Sequence, residues 1–586
     1  MIVPMRKVYL IARQTDREPL LAILRELGIV HLVPVDPALA VPGEALSRQI
    51  DAIKQAVQVV SGIEPRGPVP DIPASEAAHE VLDIRRRVAE GRNHLAALYH
   101  QLEQIAVWDD LRLKHVEELR QAGVNIEFFA VPASAFGRIE AECVAEVGEL
   151  SGREIMVAAV DRGGGIVVPE EARPMRLPSR DAAAIRAEAK QIDESLHRNI
   201  NRLHELAQVT PALEAELLRL EQQAEETIAV RGAAADEDLF AVQGWLPAEN
   251  VSNLQERLSR RSMPAVLEVL EAAEDEQPPT LVRPPRWARP IEGLFKMLGT
   301  VPGYREFDVS IPFLIALPIF TAILVGDAGY GAVLLLGPAL AYRRTAKALG
   351  ARFTQLLMII GAVSVVWGAL TNSFFGFQVL PATLIPIELS EGSRTFMMRL
   401  SFILGAIHLC VAQLWQAVRH YPDLRWLNKL GWALFVGGMY GVVNMFVLQG
   451  PMTWRAPWPY LLIAGAALAI LFAHPSRRPL VTIGVGLAQF PLSMLSAFSD
   501  VISYVRLMAV GLASSVLAAS FNEMALGIGI WPLTALVLVL GHGLNIGLAM
   551  IAMFAHGVRL NMLEFSNNLG MQWTGYPYKP FAHQTR

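Results

Sequence analysis

The sequence has 586 residues, of which 53% are apolar and 18% charged, and a formal net charge of −5. This length is too great for a single domain, and an acidic chain without basic tracts argues against a nucleic-acid partner. The two cysteines, Cys143 and Cys410, lie far apart and predict neither a disulfide framework nor a metal site, and no cofactor is predicted.

Charge is distributed unevenly along the chain. Residues 1–305 are rich in charged, helix-forming side chains, whereas residues 306–586 contain long runs almost free of charge. Charges also come too early at the amino terminus for a secretory signal peptide. The sequence therefore predicts an N-terminal cytosolic α+β domain followed by an α-helical polytopic membrane domain.

The cytosolic half begins with a strand–helix–strand pattern, with strands at 8–11 and 29–33 and a helix that ends at Gly28. Two long stretches with apolar residues three and four apart predict an antiparallel coiled-coil rod, and Pro211 should kink the second. The predicted parts are two small α/β lobes (1–40 plus 235–275, and 123–175), coiled-coil helices 44–122 and 181–230, and further strands at 126–131, 155–160 and 166–168. Residues 240–246 and a helix at 251–261 are expected to return the chain to the first lobe.

Positive charge in the loops predicts the membrane topology. Residues 311–340 contain one charged residue, Asp327, and could form one long span or two short spans with a turn at Gly326–Gly331. Both flanks are basic, and cytoplasmic loops carry the excess of Lys and Arg, so a hairpin is favoured. Later spans near 353–373, 396–418, 430–447 and 458–472, followed by helices 479–523 and 531–570, give about eight transmembrane helices with both termini cytoplasmic.

The span at 493–521 carries a charge in its middle. Its Arg506 stays protonated in any cellular environment, and such a charge costs roughly 2.5–3.5 kcal/mol at mid-membrane, so it must face protein or water. On a helix, Ser496, Ser499 and Ser503 lie on the same side as Arg506. Two interpretations follow: a packing charge neutralised by a partner, or a fixed cation on an ion path. The second requires a guanidinium that is accessible to a neighbouring molecule rather than enclosed with an acid of its own chain.

Polar residues of the last span line one helical face. They are three and four residues apart, with small residues between them: His542, Asn545, Ala549, Ala552, His556 and Arg559. That face must turn away from lipid. Taken alone, His542 and Asn545 are more typical of interhelical hydrogen bonds than of proton relays, and Arg559 could simply extend to the interface. Their alignment opposite a span with a buried arginine predicts a polar seam.

Four further polar residues leave alternatives open. Asp500 could line an outer access path, or it could partner an arginine or cap a helix near an interface. Glu564 could form an inner channel mouth or pair with Arg559, and the pairing is favoured. Asp327 is expected to shape the outer turn rather than conduct ions, and His408 is expected to be a polar residue of the core.

A series of short motifs resembles the membrane stator subunit, called subunit a or I, of vacuolar/archaeal-type rotary ATPases. The motifs are Gly244–Pro247 (GWLP), Pro278–Thr280 (PPT), Gly326–Gly331 (GDAGYG), Ser503–Leu507 (SYVRL), Gly541-His542 with Asn545, His556–Leu560 (HGVRL) with Glu564-Phe565, and Lys579–Phe581 (KPF). The resemblance covers essentially the full length. No G-x-x-x-x-G-K-[ST] loop occurs, so the chain is not expected to be an enzyme on its own.

The resemblance implies roles for named residues. Arg506 would be the essential arginine facing a rotating proteolipid ring (the c or K ring), and Arg559 would be the second arginine. The candidates that would line the ion path are Ser499, Asp500, Ser503, His542, Asn545, His556, Glu564 and Asp327. Ala549 stands where eukaryotic relatives have an acidic residue, and Asp500 where they have histidine, which indicates a differently arranged access route.

The same resemblance implies partners and a location. Peripheral stalks of E/G type would hold the cytosolic rod, a central-stalk subunit of d/C type would lie nearby, and the subunit would sit in a prokaryotic plasma membrane. Its function would be that of a non-catalytic stator that forms two half-channels for H⁺ or Na⁺. Two rival interpretations are a secondary ion-coupled transporter with a cytosolic regulatory domain, for which no internal repeat is found, and a membrane scaffold without an ion path.

The physical chemistry of these residues fits a stator without the family name. A carboxylate in lipid must be neutral, whereas the opposite charge of Arg506 favours its ionisation, so a site that passes the arginine gives up its ion. Half-channels on either side of the arginine would then load and unload the site, and the permanent cation between them would repel ions that pass straight through.

Overall fold

The structure, a computed structural model, describes residues 1–108, 111–150, 154–163, 165–379, 381, 391–450, 454–474 and 479–582. The chain forms two compact units. One consists mainly of Val33–Gln243, with Ala12–Arg17, and the other comprises Met1–Ile11, Glu18–Leu32 and Gly244–Phe581. The predicted boundary at residue 305 concerns the membrane surface, which this division does not test, so it stays a prediction.

The described part of the chain is mostly helical. In chain order its α-helices are α1 (Arg17–Leu27), α2 (Glu44–Val60), α3 (Ala74–Gln104), α4 (Leu113–Gln121), α5 (Ala182–Leu206), α6 (Thr210–Arg231), α7 (Val251–Arg260), α8 (Ile291–Leu298), α9 (Ser310–Val325), α10 (Ala328–Leu340), α11 (Tyr342–Leu349), α12 (Ala351–Leu370), α13 (Glu391–His420), α14 (Arg425–Phe446), α15 (Trp458–Leu471), α16 (Pro479–Ser503), α17 (Val505–Gly527), α18 (Trp531–Ala552) and α19 (Ser566–Asn568).

The strands form two sheets. They are β1 (Met5–Arg13), β2 (His31–Val33), β3 (Asn125–Pro132), β4 (Cys143–Glu149), β5 (Glu154–Asp161), β6 (Arg173–Met175), β7 (Ala234–Ala235), β8 (Leu239–Pro247) and β9 (Ala265–Glu271). One sheet has the order β2-β8-β1-β9, with β7 paired to β8, and the other has the order β4-β5-β3-β6. In the second sheet β3 pairs antiparallel with β5, so that Phe129 lies opposite Val157.

The unit that contains Val33–Gln243 is built on four packed helices. Apolar residues of α2, α3, α5 and α6 form its main core. α3 and α5 are antiparallel: Glu80 near the start of α3 accepts hydrogen bonds from Arg202 near the end of α5, at 2.7 and 3.1 Å. Near the other end of the pair, Leu98 packs against Ile185 and Ala189. Apolar residues at helical spacing therefore pack between α3 and α5, and the coiled-coil rod stays a prediction.

Both long helices of this unit differ from the prediction. The first long helix after the Pro-rich break ends at Gln104, and α4 is a separate helix, so the predicted helix up to residue 122 is wrong. The second stretch is divided into α5 and α6 by a 3₁₀ turn at Ala207–Val209, with Pro211 in the first turn of α6. Proline has no N–H to donate and is best accommodated in the first turn of a helix, so the interruption falls before it.

Predicted strands near 126–131 and 155–160 are confirmed by β3 and β5. Residues 240–246, expected to return the chain to the first lobe, lie in β8 of the sheet that contains β1. Residue Val167, in the predicted strand 166–168, forms only an isolated bridge with Glu140. β4, β6 and β9 were not predicted.

The second unit contains the apolar helices. Within the described residues, four stretches are long and apolar enough to span a bilayer: Ala351–Leu370, Arg394–His420, Ile483–Gly527 and Trp531–Asn568. Ser310–Val325, Ala328–Leu340 and Trp458–Leu471 are shorter apolar helices. Residues 311–340 thus form two short helices rather than one, and the chain reverses at Gly326, whose positive φ of 68° suits glycine.

The C-terminal segment after α19 returns to the lobe formed by β1, β2 and α1. The Phe581 N–H donates to the Val30 carbonyl at 2.8 Å, and the Lys579 N–H donates to Nδ1 of His31 at 2.9 Å. The Arg25 guanidinium lies over the Phe581 ring, 4.5 Å from its centroid, and the Tyr578 hydroxyl donates to the Ile29 carbonyl. The tail is therefore part of the folded lobe.

Candidate functional site

Arg506 follows an interruption between two helices. α16 ends at Ser503, Tyr504 is completely buried in the break, and α17 begins at Val505. The Tyr504 hydroxyl lies 2.7 Å from Nδ1 of His408, which is a buried core residue as predicted. The helix predicted over 493–521 is interrupted at Tyr504, although Ile483–Gly527 as a whole is long and apolar enough to span a bilayer. The buried tyrosine anchors the backbone two residues before Arg506.

The Arg506 guanidinium is bound within its own chain but is not enclosed. Its Nη1 lies 3.3 Å from Oε1 of Glu564, and its Nη2 lies 3.4 Å from Oγ of Ser503. The side chain of Arg506 is 24% exposed, whereas that of Glu564 is only 6% exposed. The partner that the packing interpretation requires is therefore present, and so is the accessibility that the ion-path interpretation requires.

Arg559 shares the same carboxylate. Its Nε lies 3.7 Å from Oε1 of Glu564, and its side chain is 52% exposed. Residues five apart in an α-helix point about 140° away from each other, but here the chain is π-helical over Met553–Val558 and Leu560–Phe565. The i→i+5 bonding of a π-helix places residues five apart on one face. The favoured pairing of Arg559 with Glu564 is present, and the π-helix is its physical cause.

Asp500 is linked to Glu564 through the side chain of Asn568. The Asn568 side-chain amide donates to Oδ2 of Asp500 and to the Glu564 carbonyl, both at 2.8 Å. In turn Gln413 donates to Oδ1 of Asn568 at 2.9 Å. The outer access path considered for Asp500 stays a prediction. We call Ser503, Arg506, Arg559, Glu564, Asp500 and Asn568 the arginine cluster.

His542 and Asn545 belong to a separate group, the tyrosine network, which consists of Tyr330, Ser514, Asn522, His542 and Asn545. The Tyr330 hydroxyl accepts from Asn545 at 3.0 Å and lies 2.8 Å from Nδ1 of His542. Nε2 of His542 lies 3.1 Å from Oδ1 of Asn522. With the hydroxyl proton donated to Nδ1, His542 is the neutral tautomer that carries its proton on Nε2. These are satisfied interhelical hydrogen bonds of the kind expected for these residues alone.

Asp327 caps α10 and organises the turn around it. Its side chain is buried, and five donors reach its two oxygens. Oδ1 accepts from the backbone N–H groups of Gly329, Tyr330 and Phe375 at 2.7, 3.1 and 2.9 Å, and Oδ2 accepts from Ser373 Oγ at 2.6 Å and Gly376 N–H at 2.9 Å. All its lone pairs are occupied, which matches the expected role in shaping the turn. We call Asp327 and these five donors the aspartate turn.

The remaining predicted residues lie near the arginine cluster. His556 is half-buried and close enough to Arg506 and Arg559 to feel both charges. The Ser503 hydroxyl donates to the Ser499 carbonyl at 3.0 Å, and Ser499 itself is exposed. Among the described residues, no three His, Cys, Asp or Glu side chains are arranged to hold a metal ion.

Sequence reasoning missed three residues that organise the site. Asn568 is four residues beyond Glu564, so helical spacing alone could have indicated it. Tyr330 lies within the Gly326–Gly331 motif, but its contact with the last span depends on tertiary packing. Tyr504 lies within the Ser503–Leu507 motif, but its burial and its contact with His408 depend on tertiary packing.

Comparisons with known proteins find close matches over the whole length. No protein-family model matches the sequence. The chain is 32% identical to the V-type ATP synthase subunit I 1 of Treponema pallidum over 100% of both chains. It is 26% identical to the V-type ATP synthase subunit I of Borreliella burgdorferi over 99% of both. It is 25% identical to the A-type ATP synthase subunit I of Archaeoglobus fulgidus over 59% of both.

A solved structure was also matched, the cytoplasmic N-terminal domain of subunit I, homolog of subunit a, of V-ATPase. The superposition covers 45% of this chain and 99% of that one at 15% identity, with a TM-score of 0.19. A score this low supports no structural conclusion.

Proposed function

Because the chain belongs to the subunit I family of V-type and A-type ATP synthases, we propose that it is the non-catalytic stator of a rotary complex. In this proposal Arg506 discharges carboxylates on a neighbouring proteolipid ring, and Arg559 supports it. The observation that carries the proposal is the accessible guanidinium of Arg506 in a stretch of otherwise apolar, membrane-spanning composition. A charge in that position is expected to be functional.

The mechanism follows from the electrostatics of a carboxylic acid in lipid. Away from the stator the acid of the ring is neutral, because an isolated carboxylate is too costly in hydrocarbon. Beside the cation of Arg506 the charged form is favoured, so the acid releases its H⁺ or Na⁺ into a polar path. After it has passed the arginine, the carboxylate takes up an ion from the second path and returns to lipid. Rotation and ion transport are thereby linked.

The predicted lining residues divide into two groups along this mechanism. Ser499, Asp500, Ser503 and His556 lie with the arginine cluster and are assigned to an inner half-channel. His542 and Asn545 lie further along α18 and are assigned to an outer half-channel. Asp327 is assigned no conducting role, since its oxygens are fully occupied by donors.

The rest of the chain fits the stator proposal. About eight crossings arise from α9, α10, α12 to α15, the α16–α17 pair and α18, with both termini in the cytoplasm of a prokaryotic cell. α9 and α10 are short for a bilayer, so the turn between them would lie within the hydrocarbon region. A non-helical turn is stable there because its backbone is buried and hydrogen-bonded. The antiparallel helices α3 and α5 supply the cytosolic rod for peripheral stalks of E/G type, and a central-stalk subunit of d/C type is a further partner.

The proposal is tested by Arg506→Gln in the whole complex reconstituted into vesicles. Assembly is expected to be normal, and ATP-driven ion uptake is expected to fall to background, because the ring carboxylate loses the charge that ionises it. Arg399→Ala, which removes an exposed arginine of α13, is the matched control and should transport normally. Normal assembly with unchanged ATP-driven uptake in Arg506→Gln would refute the proposal.

A further inference from the structure

We propose that Glu564 sets the charge of the site that receives the ring carboxylate, by holding both arginines and leaving one net positive charge. This inference rests on the proposed stator function and assigns Glu564 a positioning role, in place of an inner channel mouth. It begins from the unexpected finding that the mid-membrane cation already has an acid of its own chain as a partner.

The geometry places one carboxylate between two guanidinium groups. Oε1 of Glu564 lies 3.3 Å from Nη1 of Arg506 and 3.7 Å from Nε of Arg559. Glu564 is almost fully buried, whereas both arginines keep part of their surface exposed. A carboxylate from a neighbouring ring can therefore contact the two guanidinium groups but not Glu564. Glu564 acts on an incoming carboxylate only through the positions and charge of the two arginines.

The second oxygen of Glu564 distinguishes it from a packing residue. Within the described residues, Oε2 is buried and has no hydrogen-bonding partner. A buried carboxylate that serves only the fold is normally saturated with donors, as Asp327 is. The negative charge of Glu564 is therefore balanced by the two guanidinium groups alone. An incoming carboxylate can compete with Glu564 for these groups.

The charge balance of the three groups suits one visiting acid. Two guanidinium groups and one carboxylate in contact carry a net charge of +1, and one ring carboxylate brings this to zero. Asp500 is held by Asn568 rather than by either arginine, and His556 is the other titratable group near both cations. Without Glu564 the ring carboxylate would face two unbalanced positive charges. It would be bound more tightly and released more slowly.

The test is Glu564→Gln in the reconstituted complex. We expect assembly to be retained, and ATP-driven uptake and ATP hydrolysis to slow together, on the order of tenfold, because the ring carboxylate is held more tightly. Glu564→Asp, which keeps the charge, should restore most of the rate. Glu523→Gln, the same change at an exposed acid of α17, is the matched control and should be normal.

Each other outcome overturns the inference. An assembled Glu564→Gln complex that turns over normally would show that the charge balance is irrelevant. Continued ATP hydrolysis with lost uptake would assign Glu564 to a barrier against leakage. If Glu564→Gln does not assemble, Arg559→Gln/Glu564→Gln must assemble, because it again carries one net charge, and its failure would leave a purely structural role. Arg506→Gln distinguishes a failure of this inference from a failure of the proposed stator function, because unchanged uptake in that variant refutes the stator function itself.

Discussion

Two buried carboxylates in the apolar half of the chain have opposite surroundings. Asp327 receives five hydrogen bonds from the aspartate turn and has no cation among these partners. Glu564 has two cations beside one oxygen and, among the described residues, no partner for the other. The first acid is fully satisfied by its own fold, and the second keeps partners that an outside group can take.

The difference separates structural from functional charges. Backbone N–H groups cannot leave Asp327 without breaking the turn, so its hydrogen bonds stabilise one conformation. The guanidinium groups beside Glu564 sit on long, partly exposed side chains that can turn to another acid. Burial of an acid alone does not indicate its role; the identity and the exposure of its partners do.

The largest expected effect is on the stability of the aspartate turn. Asp327→Ala leaves four backbone N–H groups and the Ser373 hydroxyl without their acceptor, and should lower the free energy of unfolding by more than about 4 kcal/mol. Asp327→Asn keeps one acceptor oxygen and should lie in between. Thermal unfolding of the purified complex measures both, with the exposed Asp423→Ala as control. A stable Asp327→Ala protein that does not transport ions would contradict the structural role of Asp327 and give it a functional one.

An intermediate effect is expected in the tyrosine network. Tyr330→Phe removes the hydroxyl that joins His542 to Asn545. It should cost about 0.6 kcal/mol of stability and no more than about 1.7, the average and the maximum for side-chain hydrogen bonds between membrane helices. ATP-driven uptake should remain above half of normal, because other hydrogen bonds still hold Asn545. Uptake as low as in Arg506→Gln would instead place the Tyr330 hydroxyl in the ion path.

Part of this arrangement was predictable from the sequence, because charges are rare in long apolar runs. Asp327 and the basic flanks on either side predicted the hairpin and its turn, and the spacing of polar residues on the last span predicted a common face. Arg506 stood out for the same reason. These predictions rest on local sequence and on the high cost of burying a charge.

The pairing of Arg506 with Glu564 joins residues 58 positions apart and depends on tertiary packing. The break at Tyr504 contains no proline or glycine, and the tyrosine there contacts His408 and Phe320 from other helices. The π-helix likewise follows from packing rather than from the preference of any residue. Sequence patterns thus identified the charged groups but not which of them meet.

The smallest expected effect concerns His31, a titratable group outside the membrane helices with a single hydrogen bond to one ring nitrogen. Burial lowers the pKa of His31 below its usual value of 6.5, with the Lys579 segment and the rings of Tyr576 and Tyr578 beside it. The undocked form therefore binds the proton more readily. Docking of the tail is at full strength above pH 6.5 and weakens as the pH falls below it.

Hydrogen exchange of the Lys579 and Phe581 amides measures this effect. Exchange should become severalfold faster, relative to the intrinsic rate, between pH 7 and pH 5.5, which are roughly half a unit above and one unit below the usual histidine value. His31→Gln keeps an acceptor but does not titrate, so its protection should be independent of pH. A wild-type protein with constant protection would show that Nδ1 of His31 is not the responsive group.

The docked tail also has a mechanical consequence. Lys579 and Phe581 are bonded to the first lobe, and the chain before them leads back through α19 to the π-helical stretch that ends at Phe565. A pull on the lobe is transmitted along the backbone to the helix that bears Arg559, without first crossing the other apolar helices. The C-terminal segment after α19 therefore links the first lobe to the helix that bears Arg559, and its stiffness limits how far the end of that helix can move when force is applied.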